Sequence, residues 1–413
     1  MLQIAAMRVL FLTHYYPPEV GAPQARIRAL ARGLASRGHD VTVHTGFPHY
    51  PDGLVLAPYR NRPLLIERGE DGVRVLRTLV LPAANRGFAR RLAGHATLAI
   101  SSVGFAPAAG PQDVVVVESP PLFTAAAGAA YAGLKRAPLV MNVADRWPAS
   151  AVALGVLRDR QAIAAAQALE RWCYRRAHTI TVPTAGIEDA LRAVEPCAGK
   201  VRRVWPAVDL ERFDPAPAKG DGPLRVVYAG TVGLSQGLST LVEAASRAGP
   251  DVVQVGIAGG GADVEAVRER IERLSATNVR LLGVVPEAAV PALYAAADAG
   301  VILLRDREIF AGALPTKLFE VMAAGRPAVV SAHGEAATLV AAEGAGLAVE
   351  PESPVALADA LATLHADRDR ARRMGAAARD AAERRFRREA MVDRWEELLE
   401  RARQGSSQAR YEA

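Results

Sequence analysis

One pattern occurs at two places in the chain: a short apolar run, then a loop of turn residues, then apolar residues at helical spacing. Arg8–Thr13 leads into the loop His14–Pro23 and then into helical spacing from Ala25 to Ala35. Leu224–Gly230 leads into the glycine-rich turn Thr231–Gly237 and into a second helical segment. Buried parallel strands are apolar runs, and the crossover between two of them is usually a helix. We therefore predict an α/β fold with two domains, each built on a parallel sheet.

Length and loop composition place the domain boundary. A chain of 413 residues is longer than the size at which a single core stops growing. Proline and glycine mark residues 206–223 as a linker between a first domain at 1–205 and a second at 224–385. An amphipathic pattern within 386–413 predicts a helix that crosses back, followed by a polar tail. Met1 and Met7 are alternative starts, and with Met7 as the start residues 1–6 would be a dispensable extension.

One segment, Gly312–Pro327, combines a turn, a short helix and a strand that starts after Gly325. Pro315 suits the first helical turn, where backbone amides are left free and the helix dipole favours an anion. Lys317 stands beside that end, and Glu320 follows one turn later on the same side. This pattern predicts a phosphate site with a carboxylate for ribose hydroxyls. An ordinary helix start with a solvated glutamate fits the spacing equally well.

Polar side chains follow several predicted strands. They are His14, His49, Glu118 and Asp145. The carboxyl ends of parallel strands share one edge of a sheet, and ligands bind at that edge in open α/β sheets. Each residue alone also fits a structural polar group, but their shared edge predicts a crevice.

The positive charge is unevenly spread. The net charge is +6, yet no acidic residue occurs from Val73 to Gln112. This stretch contains Arg74, Arg77, Arg86, Arg90 and Arg91, with apolar residues at helical spacing from Phe88 to Val103. The pattern fits a basic amphipathic helix on an anionic membrane surface, and it fits a core-facing stripe with solvated arginines equally well.

Several classes of protein are disfavoured. The arginines lack interleaved aromatic residues and no nucleic-acid motif occurs, so we expect no nucleic-acid partner. Cys173 and Cys197 lack metal-ligand spacing, which argues against a zinc site or a disulfide framework. Without a run of about 18 apolar residues, we expect a cytoplasmic protein, with contact at the inner face of the cell membrane as the open alternative.

Four groups of residues give the chain a family resemblance. They are Tyr15–Glu19 with Gly21, Phe47–Pro51, Asp145–Pro148 with Ala151–Gly155, and Leu314–Glu320 with Met322–Gly325. With these motifs the chain resembles the retaining glycosyltransferases of family 4, which have the GT-B fold of two Rossmann-like domains. It is most similar to the bacterial branch that adds amino or deoxy sugars in O-antigen, capsule and colanic-type exopolysaccharide assembly.

The resemblance implies a nucleotide-sugar donor, UDP rather than GDP, a lipid-linked or oligosaccharide acceptor, and no metal or cofactor. It implies an acceptor-side first domain and a donor-binding second domain. Asp145 would orient the acceptor hydroxyl, Lys317 would neutralise the diphosphate and Glu320 would bind ribose. The implied donor contacts are Gly21, Ala22, Gly230, Gly233, Gly283, Val284, Leu314, Pro315, Thr316, Lys317, Leu318 and Glu320. The candidate acceptor contacts are His14, His49 and Arg146.

The sequence departs from the family at two places. The first of the two family glutamates falls on Gly312, and the turn Thr231–Gly237 lacks the family's basic pair. Lys317 is therefore the expected cation, with Arg305 or Arg307 as the alternative. These departures keep two other functions open, a nucleotide-sugar 2-epimerase of the same architecture and a non-catalytic sugar-nucleotide-binding subunit that activates a partner.

Overall fold

The computed structural model describes residues 5–50, 52–69, 71–83, 88–153, 155–215 and 222–411. The residues described within 1–205 and 389–413 form one compact unit, and those within 206–388 form a second. Arg86, the first four residues of the predicted extension and residues 216–221 of the predicted linker lie outside the described residues.

The described part of the first unit has one sheet of eight strands in the order β3-β4-β2-β1-β5-β6-β7-β8. Neighbouring strands are parallel except β3 with β4. β5 and β6 are buried along their whole length, because helices cover both faces of such a sheet. The strands are β1 (Arg8–Leu12), β2 (Asp40–Gly46), β3 (Leu64–Arg68), β4 (Arg74–Thr78), β5 (Val114–Ser119), β6 (Leu139–Val143), β7 (Thr179–Val182) and β8 (Val201–Arg203).

Helices join these strands. Asp159 caps the start of α5, where its carboxylate accepts from the amide of Ala162, and Thr184 caps the start of α6, where its hydroxyl accepts from the amide of Ile187. α3 is apolar on most sides and buried between the sheet, α2 and α5. The helices are α1 (Ala22–Ser36), α2 (Phe88–Gly104), α3 (Leu122–Lys135), α4 (Ala149–Ala153), α5 (Arg160–Arg176) and α6 (Ala185–Arg192).

The described part of the second unit has six parallel strands in the order β11-β10-β9-β12-β13-β14. The strands are β9 (Leu224–Ala229), β10 (Val253–Ala258), β11 (Val279–Gly283), β12 (Ala299–Leu303), β13 (Ala328–Ser331) and β14 (Gly346–Val349). The helices are α7 (Ser239–Ala248), α8 (Val264–Arg273), α9 (Val290–Ala296), α10 (Thr316–Ala323), α11 (Glu335–Ala342), α12 (Pro354–Ala366) and α13 (Arg368–Arg385).

The last helix, α14 (Arg388–Tyr411), joins the first unit after the chain has completed the second. Val392 packs on Gly33 of α1, where a Cβ would lie 2.5 Å from a valine methyl carbon. Glu396 accepts from Nε2 of His39 at 2.8 Å and from Arg37 at 2.6 Å. This helix is therefore attached to α1 and to the start of β2.

The α/β fold with two parallel sheets is confirmed, with an antiparallel edge strand that the pattern did not predict. Strand β11 ends at Gly283, where φ is +72° and the backbone leaves the extended conformation. The alanine-rich α3 escaped prediction because a helix buried on most sides has no polar face.

The acid-free stretch is divided between a strand and a helix, so its interpretation as one basic helix is wrong for Arg74 and Arg77. Both lie on β4. Arg77 is buried and donates to Glu67 and to the carbonyls of Gly46 and Pro17. On α2, Ala99 and Val103 pack against the core, as the core-facing alternative predicts.

Candidate functional site

Helix α10 lies close to the centre of the second sheet. A Cβ at Gly300 of β12 would lie 2.3 Å from a methyl carbon of Val321, so the glycine allows this close approach. Pro315 precedes the helix, at φ −61° and ψ 132°, rather than forming its first turn as predicted. The amide of Leu318 donates to the carbonyl of Pro315 at 2.9 Å. The prediction that the backbone amides of this first turn are left free is therefore wrong for Leu318.

Lys317 reaches from α10 to the end of β9. Its Nζ contacts the hydroxyl of Tyr228 and lies 3.9 Å from the centroid of that ring. The Tyr228 hydroxyl donates to the carbonyl of Thr231. Gly230 has φ +140°, and a Cβ there would lie 3.0 Å from Lys317 Nζ. The structure thus brings Lys317 to the first residues of the glycine-rich turn.

Burial shifts the pKa values of the two charged groups of α10, Lys317 and Glu320, towards each other. It lowers the pKa of Lys317 to about 7, although Glu320 opposes that shift. It raises the pKa of Glu320 to about 7, while Arg212 and Lys317 act in the opposite direction. Arg212 itself bonds to Glu287 at 2.6 Å. Perturbed pKa values of this kind are typical of functional sites.

The turn Thr231–Gly237 is held by its neighbours and by its own side chains. The amide of Gly233 donates to the side-chain oxygen of Gln236, and the amide of Gly230 donates to the carbonyl of Ala258. The predicted phosphate contacts at Gly230 and Gly233 therefore have internal acceptors for both amides. A Cβ at Gly259 would lie 1.8 Å from the carbonyl oxygen of Gly230. The glycines after β10 thus allow this turn to pack closely.

Arg305, which follows β12, binds the other end of the turn. Its Nε donates to the carbonyl of Leu234 at 2.5 Å, and its backbone amide donates to the carbonyl of Ser235 at 2.9 Å. Its guanidinium also pairs with Glu352 at 2.9 Å. The turn has no basic residue of its own, but the tertiary structure places a basic side chain at each end of it, Lys317 at Gly230 and Arg305 at Leu234.

Gly283 and Val284 lie at the same edge of the sheet. The amide of Gly259 donates to the carbonyl of Gly283 at 2.8 Å, which sets this segment beside the glycines after β10. The side chain of Val284 is 79% exposed. An apolar side chain is therefore open to solvent next to the glycine-rich turn.

In the first unit, Glu19 ties two strand-end loops together. Its buried carboxylate accepts from the amides of Tyr16, His49 and Tyr50. Burial raises its pKa, and these backbone donors oppose the shift. The loop after β1 and the loop after β2 therefore lie side by side, as their positions after neighbouring strands predict.

Three histidines cluster beneath these loops. The ring of His14 lies 4.5 Å from that of His95 on α2 and 5.8 Å from that of His49. His14 and His49 are each 2% exposed, so in this conformation neither predicted acceptor contact presents a face to solvent. Burial keeps the pKa of His14 well below its usual range and lowers that of His95 to about 4. Nδ1 of His14 has no hydrogen-bond partner among the described residues.

Asp145 and Arg146 follow β6 at the same edge of the sheet. Asp145 is exposed, and its carboxylate accepts from the hydroxyl of Ser150 at 2.9 Å. Gly21 and Ala22 stand at the start of α1, where a Cβ at Gly21 would lie 2.6 Å from the side-chain oxygen of Gln24. The donor and acceptor roles of these residues remain predictions.

Comparison with known proteins identifies both units. Residues 21–207 match the glycosyl transferase 4-like domain, and residues 209–381 match the glycosyl transferases group 1 family. The chain is a family 4-like glycosyltransferase of the GT-B fold.

Two curated relatives and one solved structure resemble this glycosyltransferase along nearly its whole length. The Escherichia coli protein named colanic acid biosynthesis glycosyl transferase WcaI is 24% identical, over 85% of this chain and 90% of its own. The GDP-mannose-dependent phosphatidylinositol monomannoside mannosyltransferase of Mycobacterium tuberculosis is 28% identical, and the match covers 90% of this chain and 93% of the mannosyltransferase. The structure of Anabaena HepE, solved with UDP-glucose, is 18% identical and has a TM-score of 0.70. The match covers 95% of this chain and 99% of HepE, and it shows a likeness of fold.

Sequence reasoning missed two residues of this glycosyltransferase, Tyr228 and His95. The signal for Tyr228 was present, since it is a polar-tipped aromatic one residue from the end of a strand whose other residues, apart from Arg225, are apolar. No sequence pattern pointed to His95, because α2 reaches His14 only through the packing of the sheet.

Proposed function

We propose that this glycosyltransferase transfers a sugar with retention from a UDP-sugar to a lipid-linked or oligosaccharide acceptor in bacterial cell-surface polysaccharide assembly. The proposed sugar is an N-acetylated amino or deoxy hexose. The motif resemblance supports this choice, and so does the relative named for colanic acid biosynthesis.

The observation that carries the proposal is the position of Lys317 at the glycine-rich turn. Transfer leaves negative charge on the departing diphosphate, and in many enzymes preorganised donors that meet such charge lower the barrier more than any other single effect. Lys317 would meet this charge at the Gly230 end of the turn, and Arg305 would add positive potential at the other end. We propose that these cations act without a metal ion.

Glu320 and Val284 are proposed to bind the nucleoside. An ionised Glu320 would accept hydrogen bonds from the ribose hydroxyls, and the exposed Val284 would pack against the base. The relatives use both nucleotides, since HepE is solved with UDP-glucose and the mycobacterial enzyme depends on GDP-mannose. We propose UDP for this chain.

On the acceptor side, Asp145 is proposed to orient the reacting hydroxyl, because this exposed residue lies at a strand end. Arg146, His14 and His49 are the accompanying candidates. The two buried histidines would need a rearrangement of the loops tied by Glu19 before they could contact a sugar.

The test begins with thermal-shift screening against UDP and GDP, since a ligand of the folded state raises its stability. Transfer of labelled sugar from a panel of UDP-sugars to lipid-linked acceptors follows, with the anomer of the product read by NMR. Lys317→Ala should lower turnover by about a hundredfold, the scale for one preorganised donor. Lys135→Ala, which removes a lysine near a tyrosine ring in the first unit, should leave turnover unchanged.

The same assay separates the alternatives. Conversion of one UDP-sugar to its 2-epimer without acceptor would indicate the epimerase. Nucleotide binding without turnover, with activation of a separate transferase, would indicate the non-catalytic subunit. Near-normal turnover in Lys317→Ala would contradict the role of Lys317.

We also propose a peripheral membrane contact, now confined to α2 and the segment beside it. Among the described residues, no helix is long and apolar enough to cross a membrane. Leu79, Leu81 and Ile100 are 39%, 40% and 74% exposed. Ser101 donates to the carbonyl of Leu79 at 2.6 Å, so this segment runs along α2 near Ile100. The exposed Arg90 would add attraction to anionic lipid.

A further inference from the structure

Tyr228 occupies the interior between α10 and the glycine-rich turn. Its side chain is buried, and its single hydroxyl hydrogen is donated to the carbonyl of Thr231. The oxygen lone pairs are then free to accept from Lys317 Nζ. Burial raises the pKa of the Tyr228 hydroxyl, so it keeps its proton and this direction of hydrogen bonding. The tyrosine therefore fixes the place of the amine against the turn.

Lys317 is partly buried, and an ammonium in such a position is usually paired with a carboxylate. None of the ion pairs among the described residues includes it. Glu320, one turn along α10, is the carboxylate whose charge acts on Lys317, and the charge of Arg212 acts on Glu320 in turn. Glu287 and Tyr294 are the remaining titratable groups facing Glu320. The ring of Tyr228 favours the charged amine, but the loss of water opposes it more strongly.

We propose that Tyr228 is a positioning residue for Lys317, and that a nucleoside diphosphate binds at this turn together with a proton that Lys317 takes up. The inference rests on the proposed function, since it names how the same site receives its donor. The diphosphate adds negative charge beside an amine whose pKa is lowered by burial, and that charge favours the ammonium form. The proton comes from solvent, and it converts the Lys317 amine to an ammonium without any other bond changing.

Calorimetry of UDP binding in two buffers of different ionisation enthalpy counts the protons exchanged. The titration is made at about pH 8, where the terminal phosphate of UDP, with a pKa near 6, has lost its proton already. Glu320 is also mostly ionised there, so Lys317 is the group left to take up a proton. The parent protein should take up between about half a proton and one proton per UDP bound.

Three variants test whether Lys317 is the group that takes up this proton. Lys317→Met should bind UDP more weakly and exchange no proton at about pH 8. Tyr228→Phe removes the oxygen that accepts a hydrogen bond from the Lys317 ammonium, so the ammonium should lose its proton at a lower pH. The affinity for UDP should therefore begin to fall at a lower pH than in the parent protein. Tyr131→Phe is the matched control, because this buried tyrosine of the first unit bonds to His44 and Ala106. It should behave as the parent protein does.

The outcomes separate this inference from the proposed function. UDP binding without proton exchange, or proton uptake that persists in Lys317→Met, would overturn the inference while leaving nucleotide binding in place. An unchanged pH profile in Tyr228→Phe would show that Tyr228 has a structural role alone. If neither UDP nor GDP binds, the proposed function fails and the inference falls with it.

Discussion

Lys317 and Glu320 each have a pKa near 7, reached from opposite directions. Burial favours the neutral form of both groups, so it lowers the ammonium's pKa and raises the carboxyl's. Both charged forms are needed if Lys317 meets the diphosphate and Glu320 meets ribose. In a site of this kind the fraction of molecules that carries both charges together is greatest near pH 7 and falls on either side.

We expect a narrow bell-shaped dependence of kcat/KM on pH, centred near neutrality. Activity should rise as Glu320 ionises and fall as Lys317 loses its proton, each limb approaching about tenfold per pH unit. Glu320→Gln should remove the acid limb, and Lys317→Arg should remove the alkaline limb because arginine keeps its charge. Assays between about pH 5.5 and pH 9 would measure both limbs. A flat profile across this range would contradict the assignment.

The same burial predicts that Lys317 lowers the stability of the ligand-free protein. Its folded-state pKa of about 7 lies below the ordinary value of 10.5. Between these values the unfolded chain binds more protons than the folded chain, so stability rises with pH there. Lys317→Met removes this penalty, and its melting temperature should exceed that of the parent at neutral pH. The difference should shrink towards about pH 10, and a constant difference would show that proton linkage is not its cause.

At the scale of elements, the edge of the second sheet depends on glycine where two backbones meet. Gly259, after β10, has φ +145° and faces the carbonyl of Gly230 after β9. Gly261 similarly faces the carbonyl of Val232, 2.2 Å from where its Cβ would lie. These contacts set the path of the turn that Lys317 and Arg305 approach.

Gly259→Ala should destabilise the second unit by about 1–3 kcal/mol, as overpacking does, and should weaken UDP binding by displacing the turn. Denaturant unfolding and UDP titration would measure the two effects. Gly133→Ala is the control, because a Cβ at this α3 glycine meets nothing within 4 Å. Equal stability of Gly259→Ala and the parent would mean that the turn adapts to a side chain.

The contact proposed for α2 is testable in the same way. Arg90→Glu combined with Ile100→Ser should lower sedimentation with anionic vesicles, with about 1 kcal/mol expected for the arginine. Nucleotide binding should not change. Leu134→Ser removes a leucine of α3 that is 62% exposed, and it should bind vesicles as the parent does. Equal loss in both variants would indicate that exposed apolar area in general, rather than this surface, drives adsorption.

At the scale of the whole molecule, the chain builds its first unit from two distant segments. The buried residues Trp395, Leu398 and Leu399 of α14 complete that unit more than 190 residues after β8 ends, by the numbering of the chain. His39 accepts from the amide of Met7 through Nδ1 and donates to Glu396 through Nε2. One imidazole therefore connects the start of β1 to the last helix.

Glu396→Gln should destabilise the first unit by about 1.5–3 kcal/mol at neutral pH, the range for hydrogen bonds to a charged group. Burial acts to raise the pKa of Glu396, but the bonds from His39 and Arg37 prevail and lower it. The contribution of Glu396 to the free energy of unfolding is therefore fully present above its unfolded-state pKa, and it is lost as the pH falls through its folded-state pKa. Urea unfolding at neutral and acid pH should show the variant and the parent converging in acid. Glu397→Gln is the control, since Glu397 pairs with Arg394 and Arg401 of its own helix.

The sequence by itself determined the fold class and the elements that carry the site. Apolar runs of five or six residues, each followed by turn residues, specify buried parallel strands, because period and turn chemistry are local properties. The same local rules placed Lys317 at the start of α10 and glycines after β9. They located Glu19 and His49 in loops after neighbouring strands.

Only the tertiary structure decided which side chains meet. Tyr228 on β9 touches Lys317 because β9 pairs with β12 and α10 packs against β12. Arg77 is buried because β4 became an inner strand beneath the loop of Pro17, although its sequence neighbours suggested a basic surface. The physical reason is that strand order and helix docking depend on contacts between residues far apart in the chain. A local pattern specifies the period of an element, but it does not specify its partner.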